Sequence, residues 1–181
     1  MQARIRPYRE SDEAAVLALW EAAGIGRPWL DLRAEIAEKL GRDRELFLVA
    51  EQRDEQDAQD EQDGRDGGLG QTRLVGAVMG AYDGRRGWVY HLAVAQDRRR
   101  QGIGRQLMLA LEAAMAARGI SKVNLQVRAD NAAAVGFYER LGYADERLTS
   151  LGKWLQSNPR AAEWHASTAP GVSPPQPEAA P

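Results

Sequence analysis

The 181-residue sequence contains no cysteine and only two histidines, His91 and His165. The absence of cysteine excludes disulfides, thiolate metal sites and a cysteine nucleophile, and two histidines are too few for a histidine-rich centre. We therefore expect no metal site. No apolar run approaches the roughly 18 residues of a membrane-spanning helix, so we expect no membrane partner. The first residues lack the apolar core of a secretory signal, which favours a cytoplasmic protein.

Charge is nearly balanced over the whole chain, at −2, but it is unevenly placed. Eight acidic residues and two arginines fall between positions 51 and 70. The part of the chain that we expect to fold is consequently mildly basic. This excess suits an anionic ligand, but it is too small to predict nucleic-acid binding.

Composition divides the chain into one folded unit with two polar appendages. Residues 52–72 read QRDEQDAQDEQDGRDGGLGQT between two strand-like runs, which predicts a disordered acidic loop inserted into a β-hairpin. Residues 157–181 are rich in proline and alanine and predict a disordered tail. Because one domain typically takes about 150 residues, we expect a single domain over residues 1–156.

Hydrophobic periodicity predicts the element order β-α-α-β-β-β-α-β-α-β. Ser11 and Asp31 are the expected caps of the first two helices. A long helix is expected over 103–118, a shorter one over 131–140, and a final strand or hairpin over 143–155. Helices placed between hairpin strands predict a mixed α/β fold with a mostly antiparallel central sheet flanked by helices.

The segment Arg98-Arg99-Arg100-Gln101-Gly102-Ile103-Gly104-Arg105 lies between a predicted strand and the long helix. Its glycines permit close backbone approach, the helix start offers free amides, and the arginines add positive charge, as a pyrophosphate requires. Leu107 replaces the third glycine of a dinucleotide fingerprint, and the Gly-Lys-Ser/Thr ending of a Walker loop is missing. Taken alone, the segment also fits a tight connection beside a solvated arginine face.

Two motifs resemble the signatures of the GNAT family of N-acetyltransferases. Arg99-x-x-Gly102-x-Gly104 is similar to the family's Q/R-x-x-G-x-G/A acetyl-CoA loop. Asn131-x-x-Ala134-x-x-Phe137-Tyr138-x-x-x-Gly142-Tyr143 is similar to its second signature. The likeness runs from about Arg4 to Leu155, apart from the acidic loop. Within the family, the chain most resembles the small bacterial YpeA-type branch and the ribosomal-protein alanine acetyltransferases.

The resemblance implies acetyl-CoA as cosubstrate and a sheet whose fourth and fifth strands splay apart. The pantetheine arm is then expected against the fourth-strand backbone, and the pyrophosphate on the loop amides. The implied cofactor-binding residues are Leu92, Ala93, Val94, Arg99, Arg100, Gln101, Gly102, Ile103, Gly104, Arg105 and Asn131. Asn131 fits a helix N-cap equally well, and one residue can fill both roles.

For catalysis, the resemblance assigns Tyr138 to protonation of the departing CoA thiolate; the alternative is a core aromatic. The base glutamate of the ribosomal-protein alanine acetyltransferases is Gln126 here, and an amide cannot take that proton at neutral pH. His91 is a candidate base because imidazole titrates near neutral pH. A water chain or an already deprotonated amine are the alternatives. Arg27 and Trp29 are candidates for lining an acceptor pocket, or for pinning a loop.

These expectations describe an N-acetyltransferase that acts on a primary amine of a small molecule or of a protein N-terminus. The amine attacks directly, because no cysteine exists to carry the acetyl group. Family members often dimerise, so a homodimer is one expectation, and the oligomeric state stays open. Two alternatives stay open: a non-catalytic acyl-CoA-binding sensor, which the missing glutamate favours, and an interaction protein that binds a basic partner through its acidic loop.

Overall fold

Apolar runs of the sequence form a five-stranded sheet in the computed structural model, which describes residues 3–26, 30–53, 72–128 and 130–153. The strands lie in chain order, and neighbours are antiparallel except for the last pair. They are β1 (Arg4–Pro7), β2 (Phe47–Arg53), β3 (Thr72–Tyr82), β4 (Gly87–Val94) and β5 (Val123–Leu125). The parallel pair, β4 and β5, is joined through a long helix, as parallel strands require. The predicted fold class is confirmed.

The described residues also form four α-helices. These are α1 (Glu13–Ala22), α2 (Leu32–Arg42), α3 (Ile103–Ala117) and α4 (Ala132–Glu139). The α3 helix carries buried apolar side chains at four-residue spacing, so one stripe of the helix faces the sheet. The stripe consists of Ile103, Leu107, Leu111 and Met115.

Glycines on β3 let α3 approach the sheet closely. A Cβ atom at Gly76 would lie 2.9 Å from a methyl carbon of Leu107, and one at Gly80 would lie 2.7 Å from a methyl carbon of Leu111. Residues four apart on a strand share a face, so both glycines turn toward the helix. This close packing fixes the beginning of α3 beside the end of β4, since Gly76 pairs with Val94.

The opposite face of the sheet is covered by α1. Trp20 is fully buried there, and its ring stacks on Phe47 with the centroids 5.8 Å apart. The indole nitrogen donates a hydrogen bond to the backbone carbonyl of His91 at 3.0 Å. The helix thereby holds β4 at the residue where that strand is irregular.

A buried charged cluster joins the end of α2 to the ends of β3 and α3. The carboxylate of Asp43 accepts hydrogen bonds from the Arg118 guanidinium at 2.8 Å and from the Tyr82 amide at 3.3 Å, and the Lys39 ammonium lies 3.3 Å away. Burial alone raises the pKa of Asp43, but these hydrogen bonds and the Lys39 charge outweigh it and leave the pKa lowered. Burial lowers the pKa of Lys39.

Asp31 caps α2 as predicted, accepting a hydrogen bond from the Ala34 amide at 3.0 Å. The expected cap of α1 is wrong, because the N-cap is Asp12 rather than Ser11. The carboxylate of Asp12 accepts the Arg9 amide at 2.8 Å and the Arg6 guanidinium at 2.6 Å. These bonds close a short 3₁₀ turn over residues 10–12 and delay the start of the helix.

The strand predicted over 143–155 is also wrong in the described residues, which have no regular structure from 143 to 153. Asp145 captures the Arg147 amide at 2.7 Å, and Arg147 has a φ of 54°, outside extended geometry. Side chains nevertheless link the segment to β5: Asn124 donates to Glu146 at 2.8 Å. The segment therefore lies beside β5 without joining its ladder.

The predicted hairpin around the acidic loop is confirmed, because β2 and β3 pair in antiparallel register. The ladder includes Gln52, Arg53 and Thr72, which composition had assigned to the loop. The rest of the loop, the tail at 157–181, and Arg27 and Trp29 lie outside the described residues. No helix of the described ranges is long and apolar enough to cross a membrane.

Candidate active site

The fourth and fifth strands separate halfway along β4. Their parallel ladder pairs Gly87 with Val123 and ends where Val89 pairs with Leu125. Beyond that point, residues 90–94 pair with β3 on one side and, among the described residues, with no strand on the other. We call this unpaired side the open edge of β4.

Alternation of the backbone decides which peptide groups face the open edge. The Ala95 amide donates to the Val75 carbonyl of β3 at 2.8 Å, so the peptide groups of Ala93, two residues earlier, also turn toward β3. Those of Leu92 and Val94 point the other way. The Arg99 side chain reaches the Val94 carbonyl at 3.4 Å from that side. The open edge therefore presents peptide groups at Leu92 and Val94.

The segment after β4 forms a concave loop, residues 99–105, that we call the cradle. Arg100 and Gly102 both have left-handed backbone conformations, with φ values of 64° and 81°, and α3 begins immediately afterwards. Among the described residues, no group accepts a hydrogen bond from the amides of residues 100–105. Successive free amides at a helix start form a concavity that binds anions.

The cradle carries three cationic side chains. These side chains, of Arg99, Arg100 and Arg105, are exposed. Nearby, the carboxylate of Asp97 is held by the Arg73 guanidinium at 2.8 Å. The positive charges of the cradle arginines are therefore exposed, and their role in binding a ligand stays a prediction.

The two glycines of the cradle are needed for different structural reasons. Gly102 is required for its left-handed φ, and the nearest atom to a Cβ placed there is 3.9 Å away. Gly104 is helical, and its Cβ would point at the Phe137 ring, 3.4 Å away, and at a Val94 methyl group, 3.6 Å away. The first glycine shapes the loop, whereas the second lets α3, α4 and β4 pack together.

Asn131 is the N-cap of α4, and its side-chain oxygen accepts the Ala134 amide at 3.1 Å. The residue is exposed, so its side-chain NH₂ group has room for a ligand. The capping role is confirmed, and the cofactor role stays a prediction.

Tyr138 packs its ring edge-on against Phe137 and Tyr143, with centroids 5.0 Å and 5.7 Å away. Burial raises its pKa to about 12. Its hydroxyl makes no hydrogen bond within the described residues. Among those residues, the side-chain atoms that are fully buried and lack a partner are the Tyr8 hydroxyl and the Asn124 oxygen, so the Tyr138 hydroxyl is not fully buried. The Tyr138 hydroxyl is therefore reachable from outside the core.

His91 occupies a β-bulge of β4, where the register with β3 shifts and φ is 50°. Its ring packs against Trp20, with centroids 5.0 Å apart. Its Nε2 atom lies 2.6 Å from a carboxylate oxygen of Glu35 on α2. Sequence reasoning missed Glu35, since no local pattern connects residues 56 positions apart.

The predicted residues do not form one cluster of contacts. Gly104 links the cradle to Phe137, the neighbour of Tyr138, whereas His91 lies on the face covered by α1 and α2. Gln126, at the position of the missing glutamate, donates to the Ser150 hydroxyl at 2.8 Å and is occupied with that loop.

Comparisons with known proteins agree with this geometry. A model of the acetyltransferase (GNAT) family matches residues 18–143. An acetyltransferase of Pectobacterium atrosepticum is 42% identical over 151 residues, covering 83% of this chain and 94% of the relative. One of Yersinia enterocolitica is 40% identical with the same coverage. The fold is similar to that of the Escherichia coli ribosomal-protein-S18-alanine N-acetyltransferase, with a TM-score of 0.57 and 23% identity over 78% of this chain and 77% of that one.

Proposed function

The chain belongs to the acetyltransferase (GNAT) family, and we propose that it transfers the acetyl group of acetyl-CoA to a primary amine of a small molecule or of a protein N-terminus. One observation carries the proposal. The open edge of β4 leads directly into a cradle of free amides, so one strand offers unpaired peptide groups and then an anion site.

The residues present suit acetyl-CoA. Its pantetheine arm contains amide groups that match the outward peptide groups of Leu92 and Val94, with Ala93 as the spacer between them. Its pyrophosphate matches the amides of residues 100–105 and the positive charge of the flanking arginines. Asn131 stands at the start of α4 with its NH₂ group available for the cofactor arm.

The chemistry on the protein side consists of two proton transfers. Acetyl-CoA supplies an activated thioester. As the amine nitrogen bonds to the acetyl carbon, His91 accepts the proton that the nitrogen loses. As the carbon–sulfur bond breaks, the electron pair stays on sulfur and the Tyr138 hydroxyl donates the proton that turns the CoA thiolate into a thiol. His91 then releases its proton to solvent, and Tyr138 takes one from solvent, which restores both residues. The chain has no cysteine, so a covalent acetyl-thioester on the protein is not part of the route.

The raised pKa of Tyr138 has two opposite consequences for this role. The phenol is fully protonated at neutral pH, so the donor is always loaded. The gap to a thiol pKa of about 8.5 reduces the driving force of the transfer. Tyr138 is therefore expected to contribute at the lower end of the range for general acids.

A non-catalytic acyl-CoA sensor is the second candidate, and the state of Gln126 favours it. An amide replaces the carboxylate, and it is bonded to Ser150 rather than free. The sensor keeps the cradle and the open edge but transfers nothing. The cytoplasmic location and the homodimer stay predictions.

Two glycine variants at the two ends of α3 test the cradle. Gly102 and Gly119 have φ values of 81° and 76°, and neither has an atom within 3.4 Å of an added Cβ. Alanine at either position therefore costs a similar amount, about 1–2 kcal/mol of backbone strain. We expect Gly102→Ala to weaken acetyl-CoA binding at least tenfold in calorimetry, about 1.4 kcal/mol, and Gly119→Ala to leave it unchanged.

Turnover is then measured with isotopically labelled acetyl-CoA against a panel of small amines and N-terminal peptides. Acetylated product from wild type, and less from Gly102→Ala than from Gly119→Ala, supports the proposal. Equal binding by the two variants overturns the cradle assignment. Tight binding with no product from any acceptor supports the sensor.

A further inference from the structure

The Glu35–His91 pair joins two elements that lie far apart in the chain. Glu35 is on the first turn of α2, and His91 is in the bulge of β4, with Nε2 and Oε2 2.6 Å apart. The His91 side chain is only 16% exposed and that of Glu35 is 35% exposed, so the contact is not a solvated surface pair. Trp20 holds the same bulge by its hydrogen bond to the His91 carbonyl.

The chemistry of the contact fixes the proton on the imidazole. A carboxylate can only accept, so Nε2 must carry hydrogen. In the neutral ring, Nδ1 then holds the lone pair. Nδ1 makes no hydrogen bond among the described residues. It is also not one of their fully buried, unpartnered side-chain atoms, which belong to Tyr8 and Asn124. The nitrogen that can act as a base is thus the accessible one.

We propose that Glu35 is a positioning residue that orients His91, keeps its proton on Nε2, and stabilises the imidazolium formed when Nδ1 takes a proton from the acceptor amine. This rests on the proposed function. It adds a residue outside both sequence motifs and explains how the chain compensates for Gln126. A carboxylate that orients a histidine base acts in this way in hydrolytic triads.

The surroundings of His91 leave Glu35 as its partner in the described part of the chain. Trp20 of α1 is uncharged. The Tyr90 ring of β4 lies 6.4 Å away, and its pKa is raised by burial and by the charges of Asp83 and Glu35. Tyr90 is therefore neutral near pH 7. The charge that stabilises a protonated His91 comes from Glu35.

Glu35 has one rival role, direct binding of the ammonium group of the acceptor. A double-mutant cycle separates the two. If Glu35 acts through His91, Glu35→Gln lowers kcat about tenfold in wild type and less than twofold in a His91→Gln background, since the positioned group is gone. If it binds the acceptor directly, KM for the amine rises equally in both backgrounds, which overturns the proposal.

A second measurement needs no turnover. With His165→Gln, the chain has one histidine, so the ¹⁵N and ¹H resonances of its imidazole report on His91 alone. We expect these resonances to show the Nε2–H tautomer in wild type and a mixture of the two neutral tautomers in Glu35→Ala, because the carboxylate that accepts the Nε2 proton is lost.

The matched control is Glu38→Gln on the same helix. Glu38 forms an exposed ion pair with Arg42 and is 65% exposed. It should leave both the His91 tautomer and kcat unchanged. A tautomer that Glu35→Ala does not change, or changes no more than Glu38→Gln does, overturns the positioning role. If no amine is acetylated by wild type, the proposed function fails, while the imidazole spectrum still decides whether Glu35 holds the proton on Nε2.

Discussion

The open edge of β4 and the region beneath α1 and α2 offer different parts of the polypeptide. On the proposed cofactor side, the open edge and the cradle present peptide groups, and their positions depend on φ angles at Arg100 and Gly102. On the proposed acceptor side, beneath α1 and α2, the polar groups are side chains, above all His91 and Glu35. A function carried by peptide groups tolerates side-chain substitution, whereas one carried by a side chain does not.

The largest effect is expected on the acceptor side. His91→Gln removes the base but keeps a polar side chain, and kcat should fall about a thousand-fold, in the middle of the range for general bases. Acetyl-CoA affinity, measured by calorimetry, should not change, because the cradle is untouched. A kcat within tenfold of wild type would mean that His91 is not the base, and that water removes the proton or the amine binds already deprotonated.

Tyr138 is the side chain on the proposed cofactor side whose loss should have the next largest effect on kcat. Tyr138→Phe removes the donor while keeping the ring contacts, and kcat should fall about a hundred-fold. Tyr143→Phe is the control. It loses the 2.8 Å hydrogen bond to Glu112 and should cost about 1 kcal/mol of unfolding free energy without changing kcat. If both variants lose only stability, Tyr138 is a core aromatic.

Arg99 tests how much a cradle side chain adds to the cradle backbone. Arg99→Gln removes one exposed charge and should weaken acetyl-CoA binding about three- to fivefold at low salt and less at high salt. Arg42→Gln, an exposed arginine paired with Glu38 on α2, should have no effect. A hundred-fold loss would place the binding energy in the arginine side chain and remove the contrast between the proposed cofactor and acceptor sides.

The smallest effect is expected for Gly104→Ala. The added methyl group would touch Phe137 at 3.4 Å and Val94 at 3.6 Å, which needs a shift of only a few tenths of an ångström. Acetyl-CoA affinity should stay within about threefold of wild type, in contrast to Gly102→Ala. A tenfold loss in calorimetry would show that Gly104, too, faces the pyrophosphate.

Local patterns predicted the backbone features on the proposed cofactor side. Gly102, the four-residue spacing of α3 and the Asn131 cap depend on backbone conformation and on neighbours within one turn, which a sequence displays directly. The close approach of α3 to Gly76 and Gly80 was not predicted, because it depends on how the helix packs on the sheet.

The acceptor side was less predictable, for a physical reason. The His91 carbonyl accepts a hydrogen bond from Trp20, 71 positions away, and its imidazole contacts Glu35, 56 positions away, so both contacts arise only in the tertiary fold. The absence of the predicted last strand from the described residues has a local origin instead. Its composition allows extension, but the Asp145 side chain competes for the backbone and turns Arg147 into a left-handed conformation.

The Asp43–Lys39–Arg118 cluster makes unfolding a proton-uptake reaction at both ends of the pH scale. The lowered pKa of Asp43 gives stability that is complete above its unfolded pKa of about 4 and disappears as the pH falls through the folded value. The lowered pKa of Lys39 means that, between its folded value and its unfolded value, Lys39 is protonated in the unfolded chain but not in the folded one. Denaturant midpoints should therefore rise with pH in both windows, and Asp43→Asn should flatten the acidic one.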